Sequence, residues 1–236
     1  MTLFAPQGSR GDTADDLAIV ALVASAGGFT ALVTVLSALP TGFPAALVVL
    51  QHLSPNRPSR LGELLARRCH LPVTDAADGA RLQGGVVTVA VPGKHLTVTP
   101  ERTVALTTSP PVHSSRPSAD VLLCSIAACG ARAIAVVLSG YGADGAEGAA
   151  AVHRRGGTVI AQDQASAEAW GMPGAAVATG TVDRVLSARE IAAALAGPVL
   201  ADAVDGPGGD LRSEAVARLD HEAPPDGLWL LAPDLP

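Results

Sequence analysis

Three polar residues of the kinds used in acyl transfer follow apolar runs in the sequence. Ser25 follows the run LAIVALVA, His52 follows ALVVLQ, and Asp144 lies in the glycine-rich loop after AIAVVL. A serine hydroxyl becomes a good nucleophile when a neutral imidazole takes its proton and a carboxylate holds that imidazole in the right tautomer. These residue types predict nucleophilic catalysis, with Ser25 as nucleophile, His52 as base and Asp144 as the orienting carboxylate.

Each of the three residues alone has an ordinary structural explanation. A serine before two glycines is commonly a helix cap, a strand-end histidine is usually a hydrogen-bonded structural residue, and an aspartate in a glycine-rich loop is commonly a turn former. Their shared position carries the prediction, because the carboxyl ends of parallel strands meet at one sheet edge, where ligands bind. The chain order Ser, His, Asp is unlike that of familiar serine hydrolases, but a triad is defined by geometry.

Acyl transfer also needs hydrogen-bond donors for the oxyanion that forms in the transition state. The backbone amides of Ala26 and Gly27, at the start of a predicted helix, are two candidates. The amide of Tyr141 is the third, because the glycines on both sides of it would let the loop approach the site closely.

The elements that must position these residues alternate between strands and helices. Continuous apolar runs predict strands that are buried on both faces, at residues 17–24, 45–50, 133–138 and 158–161. Segments of helical composition lie at residues 29–39, 59–69, 119–129, 145–155 and 188–196. This alternation predicts an α/β fold with a doubly wound, mostly parallel sheet and helices on both faces.

A different pattern fills the middle of the chain, where polar and apolar residues alternate. The stretches are residues 86–91, 95–99 and 104–107, which surround the turn residues Pro92-Gly93 and 100–102. Such alternation is typical of half-buried antiparallel strands. We therefore expect an antiparallel hairpin or meander at an edge of the sheet.

The two ends of the chain differ in composition from the middle. Residues 1–16 are polar and glycine-rich, and residues 198–236 carry repeated Pro, Gly and Asp. Eight acidic and two basic residues lie in 197–236, which leaves 14 of each in 1–196, so the net charge of −6 belongs to the C-terminal part. We expect one domain over residues 17–197 between a disordered N-terminal tail and an acidic C-terminal tail.

Composition argues against several classes of partner. Aromatic residues make up 3% of the chain and Lys94 is its one lysine, so we expect no nucleic acid partner. Residues 17–43 are uncharged and long enough to cross a bilayer. However, glycines interrupt this stretch and Asp15-Asp16 precede it, so we expect neither membrane insertion nor a signal peptide.

The cysteines and histidines show no spacing typical of metal ligands. Cys69, Cys124 and Cys129 are odd in number, which fits reduced thiols in a cytoplasmic protein better than disulfides. The histidines share no ligand spacing with one another or with these cysteines, and we expect no metal site.

Seven motifs follow one another at consistent spacing: VASAGG (23–28), LVVLQHLSP (47–55), GGVVTVAVPGKHLTV (84–98), RPSADVL (116–122), AIAVVLSGYGADGAEG (133–148), GGTVIAQD (156–163) and GMPGAA (171–176). Together they resemble the catalytic domain of the chemotaxis protein-glutamate methylesterases, the CheB family. The resemblance covers about residues 17–196. Several ordered motifs are far more specific than any one of them.

The resemblance implies a function as well as a fold. The family's nucleophile, histidine and aspartate fall on Ser25, His52 and Asp144. Its domain is a doubly wound α/β fold that hydrolyses γ-glutamyl methyl esters on chemoreceptor helices and often deamidates glutamines there. A methylated chemoreceptor-type protein would thus be the substrate, in the cytoplasm and without a cofactor or metal. The site would be a shallow cleft that admits a side chain of a helical partner.

The resemblance also carries an expectation about regulation. Family members commonly have an N-terminal phosphoacceptor receiver domain that covers the active site, and such a domain needs on the order of 100 residues. Only 16 residues precede the first predicted strand here. We therefore expect a chain without a receiver domain, with an uncovered site that phosphorylation of an aspartate does not switch.

This sequence departs from the family pattern at a few positions. Val23 stands where the family usually has Gly, Phe29 where it often has Pro, and Tyr141 where it usually has Met. Val23 would crowd the turn and Tyr141 would alter the shape of the pocket. Asp163 and the pair Met172-Pro173 are further candidates for shaping the pocket.

Other functions fit parts of the same pattern. The fold with a retained cleft would also suit a non-catalytic receptor-binding scaffold, although all three triad residue types are kept. A serine hydrolase of a small ester or of an unrelated partner is a further alternative, because fold and triad set the reaction class and not the partner. A nucleotide-binding domain is disfavoured, since residues 25–28 have neither the dinucleotide fingerprint nor a phosphate-loop lysine.

Overall fold

Strands and helices alternate along the chain, as the apolar runs predict. The computed structural model describes residues 17–53, 58–129 and 132–197 of the 236-residue chain. The strands are β1 (Ile19–Ala24), β2 (Ala46–Gln51), β3 (Val73–Asp75), β4 (Val87–Val89), β5 (His95–Val98), β6 (Val104–Thr107), β7 (Ala133–Val137), β8 (Thr158–Gln162) and β9 (Arg184–Leu186). The helices are α1 (Gly28–Ser37), α2 (Leu61–Ala66), α3 (Ala119–Ala127), α4 (Ala146–Arg154), α5 (Gly171–Ala178) and α6 (Ala188–Ala196).

Seven of these strands form one parallel sheet in the order β3-β4-β2-β1-β7-β8-β9. The chain builds outward from β1 through β2, then returns to the other side of β1 with β7. The strand order therefore reverses at β1, and a crevice forms beyond the carboxyl ends of the strands at such a point. The α/β fold class is confirmed.

Helices cover both faces of the sheet, and alternate residues of β1 show which helices lie on each face. Val20, Leu22 and Ala24 belong to the core that α1, α2 and α6 complete. Ile19, Ala21 and Val23 belong to the core on the opposite face, which α3, α4 and α5 complete. All six residues of β1 are buried, which explains why its sequence is continuously apolar.

The predicted antiparallel pairing is correct for residues 95–99 and 104–107, but not for residues 86–91. The predicted position at an edge of the main sheet is wrong. Strands β5 and β6 pair in antiparallel fashion, but they form a separate two-stranded sheet that packs against α3 through Leu96, Val98 and Val104. Strand β4 is not part of this hairpin, since it lies parallel between β2 and β3. Val87, Thr88 and Val89 are all buried, so the alternation in sequence does not correspond to an exposed face.

Three elements have no counterpart in the sequence prediction. Strands β3 and β9 are the two edges of the large sheet and are three residues long, too short to show a period. Helix α5 has the sequence GMPGAAVA, in which glycine and proline are poor helix formers. Pro173 is tolerated because it lies in the first turn, where its missing N–H has no intrahelical partner to lose.

The predicted ends of the domain can be compared only in part. The predicted tails, 1–16 and 198–236, lie outside the described residues, and helix α6 ends at Ala196. Helix α2 spans six residues, fewer than the eleven predicted from 59–69. The uncharged stretch 17–43 becomes β1 and α1, and no helix in the described ranges is long and apolar enough to span a membrane.

Candidate active site

The register of the central strands brings the ends of β2, β1 and β7 side by side. Ala24 pairs with Gln51 in the parallel ladder, so Ser25 and His52 each come one residue after a paired position. The amide of His52 donates to the carbonyl of Ala24 at 3.0 Å, and the amide of Ser25 donates to the carbonyl of Ser139 at 2.9 Å. The three strand ends are thus held together by backbone hydrogen bonds.

Two glycines let the chain turn sharply after Ser25 and begin α1. Gly27 has φ 71° and ψ −5°, in the left-handed region that favours glycine. A Cβ on Gly27 would lie 2.7 Å from Ser139 Oγ and 2.8 Å from Glu168 Oε2. A Cβ on Gly28 would lie 2.5 Å from the Cβ of Ala24. Position 27 therefore requires glycine for conformation and for space, and position 28 for space.

His52 and Asp144 form the strongest side-chain contact at this edge of the sheet. His52 Nε2 lies 2.7 Å from Asp144 Oδ2, and their side chains are 17% and 3% exposed. The carboxylate also receives three hydrogen bonds from the start of α3. Ser118 Oγ donates at 2.8 Å, the amide of Ala119 at 2.8 Å and the amide of Asp120 at 2.9 Å.

These hydrogen bonds decide the charge of Asp144. Burial would raise the pKa of this carboxyl, but the hydrogen bonds from His52, from the α3 amides and from Ser118 outweigh burial and lower the pKa to about 2. An ionised carboxylate can only accept hydrogen bonds. Neutral His52 must therefore carry its proton on Nε2, which leaves Nδ1 as its basic nitrogen.

Asp120 is a second buried carboxyl beside this pair. Burial raises its pKa, and the nearby charge of Asp144 acts in the same direction, against a hydrogen bond of 2.7 Å that Oδ1 accepts from the amide of Gly148. Its Oδ2 faces His113 Nε2 at 3.3 Å. Asp120 therefore joins the first turn of α3 to that of α4.

Ser25 lies beside the pair without bonding to it. Its side chain is half-buried, and Oγ makes no hydrogen bond to another described residue. The backbone amides of Ala26, Gly27 and Tyr141, predicted as oxyanion donors, likewise make no hydrogen bond within the described ranges. The structure thus joins His52 to Asp144 directly, while Ser25 and the three amides follow the neighbouring strands β1 and β7 at the same edge of the sheet.

The loop glycine Gly140 packs closely against Ser25 and Met172. A Cβ on Gly140 would lie 2.9 Å from Ser25 Cβ and would overlap the sulfur of Met172. The amide of Met172 donates to the carbonyl of Gly140 at 2.8 Å, so α5 begins against the glycine loop. Met172 lines none of the three cavities described below, and its role in shaping the pocket stays a prediction.

Three surface cavities surround the edge of the sheet. One of about 260 Å³ lies against His52 and is bounded by the loop 111–117. A second, of about 360 Å³, is lined by Phe29, Gln51 and Leu53 among others. A third, of about 460 Å³, lies on the α1 side between Gly27 and Glu168. The first cavity is the one in direct contact with a proposed catalytic side chain.

The departures from the family pattern are each accommodated. Val23 is fully buried, and its Cγ2 would lie at an ordinary van der Waals distance of 3.5 Å from a Cβ on Gly145, so Val23 packs there without crowding. Tyr141 is 73% exposed and leaves its backbone free. Phe29 lines the cavity of about 360 Å³ and does not approach the His52 pair.

Several residues that build the site were missed in the sequence. Ser118 contacts Asp144 from 26 positions away, and Ser139 contacts Ala26 from 113 positions away, so no local pattern announces either contact. Ser118 lies in the RPSADVL motif, but the motif does not indicate that Ser118 contacts Asp144. Gln162, and not its predicted neighbour Asp163, reaches the loop after β7, where its Oε1 accepts from the amide of Ser139.

One group of possible metal ligands cannot be recognised from spacing in the sequence. His113, Asp120 and Glu147 offer donor atoms that lie within 4.8 Å of one another. They come from a loop and two helices, which is why their positions in the sequence showed no pattern. Within the described residues, Asp120 Oδ1 accepts a hydrogen bond from the amide of Gly148, whereas Oδ2 is buried, lies 3.3 Å from His113 Nε2 and has no hydrogen-bond partner.

Comparison with known proteins shows the family of this chain. The family model described as CheB methylesterase matches residues 20–195. The "Protein-glutamate methylesterase/protein-glutamine glutaminase 3" of Anaeromyxobacter dehalogenans is 45% identical over 180 residues, which are 75% of this chain and 53% of that protein. The "Protein-glutamate methylesterase FrzG" of Myxococcus xanthus is 40% identical over 178 residues, 75% of this chain and 53% of FrzG.

A solved structure is similar over the same region. The catalytic domain of the CheB methylesterase of Thermotoga maritima superposes with a TM-score of 0.74 at 34% sequence identity, over 76% of this chain and 97% of that domain. The chain spans about half the length of the curated relatives it matches. With the matched family model and the shared fold, these similarities establish that the chain belongs to the CheB methylesterase family.

Proposed function

We propose that this chain is a serine esterase that hydrolyses γ-glutamyl methyl esters on a methylated chemoreceptor-type protein, with Ser25, His52 and Asp144 as its catalytic residues. The single observation that carries the proposal is the 2.7 Å hydrogen bond between His52 Nε2 and Asp144 Oδ2, at the sheet edge where Ser25 follows the neighbouring strand β1. An ionised, fully hydrogen-bonded carboxylate and a half-buried imidazole beside a serine are the parts that acyl transfer requires.

The first half of the reaction forms an acyl-enzyme. Ser25 Oγ attacks the ester carbonyl carbon while His52 Nδ1 takes the hydroxyl proton, and Asp144 stabilises the imidazolium that results. The amides of Ala26, Gly27 and Tyr141 donate to the carbonyl oxygen as it becomes an oxyanion. When the tetrahedral intermediate collapses, His52 returns its proton to the leaving oxygen and methanol departs.

The second half uses water in place of the serine. His52 Nδ1 takes a proton from a water molecule, whose oxygen attacks the acyl carbon, and the second tetrahedral intermediate expels Ser25 Oγ with the proton from His52. The products are a free glutamate side chain and the original enzyme. The cavity of about 260 Å³ beside His52 offers space for the substrate chain next to the reacting atoms.

Deamidation of glutamine is a second activity of the same site. The same cycle expels ammonia where the substrate is an amide, provided that His52 protonates the leaving nitrogen. The names of the relatives from Anaeromyxobacter dehalogenans and Bordetella avium include protein-glutamine glutaminase, which favours this activity. We place the reaction in the cytoplasm, consistent with the free thiols of Cys69, Cys124 and Cys129.

Release of methanol from a methylated chemoreceptor fragment tests the proposal. The unchanged chain should release methanol, and Ser25→Ala should lower the rate by roughly 10⁴–10⁶-fold while its circular dichroism stays the same. Hydrolysis of a small ester without methanol release from the fragment would favour an unrelated substrate. Binding of the fragment without any hydrolysis would favour a scaffold.

A further inference from the structure

Ser139 is a buried residue at the end of β7 whose polar groups are all used. It is 1% exposed. Its amide donates to Gln162 Oε1 and its carbonyl accepts from the amide of Ser25, both at 2.9 Å. Its hydroxyl donates to the carbonyl of Ala26 at 2.7 Å and accepts from the amide of Ala169 at 2.9 Å. One side chain therefore ties the turn after β1 to the loop before α5.

The bond to the carbonyl of Ala26 has a specific consequence for the neighbouring amide. The carbonyl of Ala26 and the N–H of Gly27 belong to one planar trans peptide unit and point in opposite directions. Fixing the carbonyl against Ser139 Oγ therefore fixes the direction of the Gly27 N–H. That N–H makes no hydrogen bond to a described residue and is one of the proposed oxyanion donors.

The adjacent peptide unit is held in a similar way. The carbonyl of Ser25 accepts from the amide of Gly28 at 3.0 Å and from Gln51 Nε2 at 3.4 Å, which sets the direction of the Ala26 N–H. Gln51 holds this unit weakly, since 3.4 Å is a long hydrogen bond. Ser139 contacts the turn more closely, because a Cβ on Gly27 would lie 2.7 Å from its hydroxyl oxygen.

We propose that Ser139 is a positioning residue that aims the Gly27 amide at the developing oxyanion. This inference rests on the proposed esterase function and adds a residue that does not touch the substrate. Its loss should act on the transition state more than on substrate binding, because the donor geometry matters most for charge that develops during reaction. The signature is a fall in kcat at nearly constant KM.

The chain offers a matched control in Ser125. Its hydroxyl also accepts one amide, that of Val98 at 2.9 Å, and donates to one carbonyl, that of Leu122 at 2.7 Å. Ser125 lies on α3, and neither of these two hydrogen bonds involves the turn after β1. Ser125→Ala removes the same number and kind of hydrogen bonds as Ser139→Ala, and it reports what a purely structural loss does.

Steady-state kinetics should be measured for Ser139→Ala, Ser139→Cys and Ser125→Ala on p-nitrophenyl acetate and on a methylated receptor fragment. We expect kcat of Ser139→Ala to fall about 10–100-fold on both substrates with KM within about twofold. Ser139→Cys keeps a similar shape with weaker hydrogen bonds, so its kcat should be intermediate. If the kcat of Ser139→Ala equals that of Ser125→Ala, or if KM alone changes, the proposal is wrong.

Amide hydrogen exchange separates this inference from the esterase proposal. The amides of Ser25 and Gly28 should exchange faster in Ser139→Ala than in the unchanged chain, and at the unchanged rate in Ser125→Ala. If the unchanged chain shows no hydrolysis beyond that of Ser25→Ala, the esterase proposal fails, and exchange alone then decides whether Ser139 holds the turn. Equal exchange rates in the two alanine variants would refute that role.

Discussion

The hydroxyl of Ser118 donates a 2.8 Å hydrogen bond to Asp144 Oδ1 while it also caps helix α3 by accepting from the amide of Val121. Ser118 therefore both stabilises the start of α3, whose amides donate to Asp144, and itself donates to that carboxylate. A helix N-terminus favours an anion through its free amides and its dipole. The position and the charge of Asp144 thus depend on the start of α3.

Replacing Ser118 by alanine should affect both stability and rate. The lost cap should lower the free energy of unfolding by about 1–2 kcal/mol. The rate of ester hydrolysis should fall by roughly tenfold, because Asp144 keeps its two backbone donors and His52 but loses one hydrogen bond worth about 1.5 kcal/mol. Urea unfolding and p-nitrophenyl acetate hydrolysis measure the two effects.

Ser187→Ala is the matched control for this prediction. Ser187 caps α6 in a capping box with Glu190, so its loss should destabilise the chain similarly. Ester hydrolysis should stay at the unchanged rate. An equal loss of rate in both variants would show that general loosening, and not the contact with Asp144, slows the reaction.

Replacing Asp144 by asparagine should lower kcat by about 10⁴-fold. The one NH2 group of asparagine takes the place of one carboxylate oxygen, so it faces either the amide of Ala119 and His52 or the amide of Asp120, and each of these backbone amides is itself a donor. Nε2 then no longer has an anionic acceptor, so the wrong imidazole tautomer is favoured. Asp78→Asn is the control, since that exposed carboxylate caps only the amide of Leu106. A loss of less than tenfold would mean that another group orients His52.

The pKa of Asp144 predicts how stability depends on pH. Its folded value of about 2 lies below the value of about 3.9 expected for an unfolded aspartate. Its contribution is therefore present above pH 4 and is lost as pH falls toward 2, by on the order of 2 kcal/mol. Asp120 acts in the opposite direction, because its raised pKa favours proton binding by the folded chain.

Urea unfolding of the unchanged chain and of Asp144→Asn between pH 2 and 7 measures this contribution. The difference in free energy of unfolding between the two should be largest near pH 6 and should shrink as pH approaches 2. A difference that does not vary with pH would contradict a depressed pKa. Asp144 stays ionised between pH 5 and 8, so a loss of activity within that range does not report protonation of this carboxylate.

Gly145→Ala should destabilise the chain by about 1–3 kcal/mol through backbone strain alone. Gly145 has φ 102°, and a Cβ there would lie 3.2 Å from Ala119 Cβ and 3.5 Å from Val23 Cγ2. Gly42→Ala isolates the strain, since Gly42 has φ 81° and an added Cβ would meet nothing within 4 Å. A greater loss of thermal stability in Gly145→Ala measures the crowding against Ala119, and equal losses would show that this contact adds nothing to the strain.

Replacing Tyr141 by alanine should separate small substrates from protein substrates. The tyrosine side chain is 73% exposed, and only its backbone amide has a proposed role in the reaction. Hydrolysis of p-nitrophenyl acetate should stay within about threefold, whereas KM for a methylated receptor fragment should rise, because an exposed aromatic side chain beside a site commonly contacts a protein partner. A large loss on the small ester would show that the side chain itself shapes the site.

Local patterns in the sequence were sufficient to predict the long central strands, most of the helices and the residues that follow the strands. The continuous apolar runs of β1, β2 and β7 predict strands buried on both faces, and they place Ser25 and His52 at one edge of the sheet. Gly27 and Gly28 predict the sharp turn after Ser25, because the conformational freedom of glycine does not depend on its neighbours. The strands and the turn can be predicted because each depends on only a few consecutive residues.

The tertiary structure decided the contacts that complete the site. The alternating sequence of strand β4 predicts a hairpin, but the strand lies within the parallel sheet. All three of its residues are buried, so the alternation of polar and apolar residues does not mark an exposed face. The partners of Asp144 and of the turn at Ala26 are Ser118 and Ser139, which lie 26 and 113 positions away. Only the packed fold selects such partners, because buried polar groups bond to whatever neighbours the packing of strands and helices brings within about 3 Å.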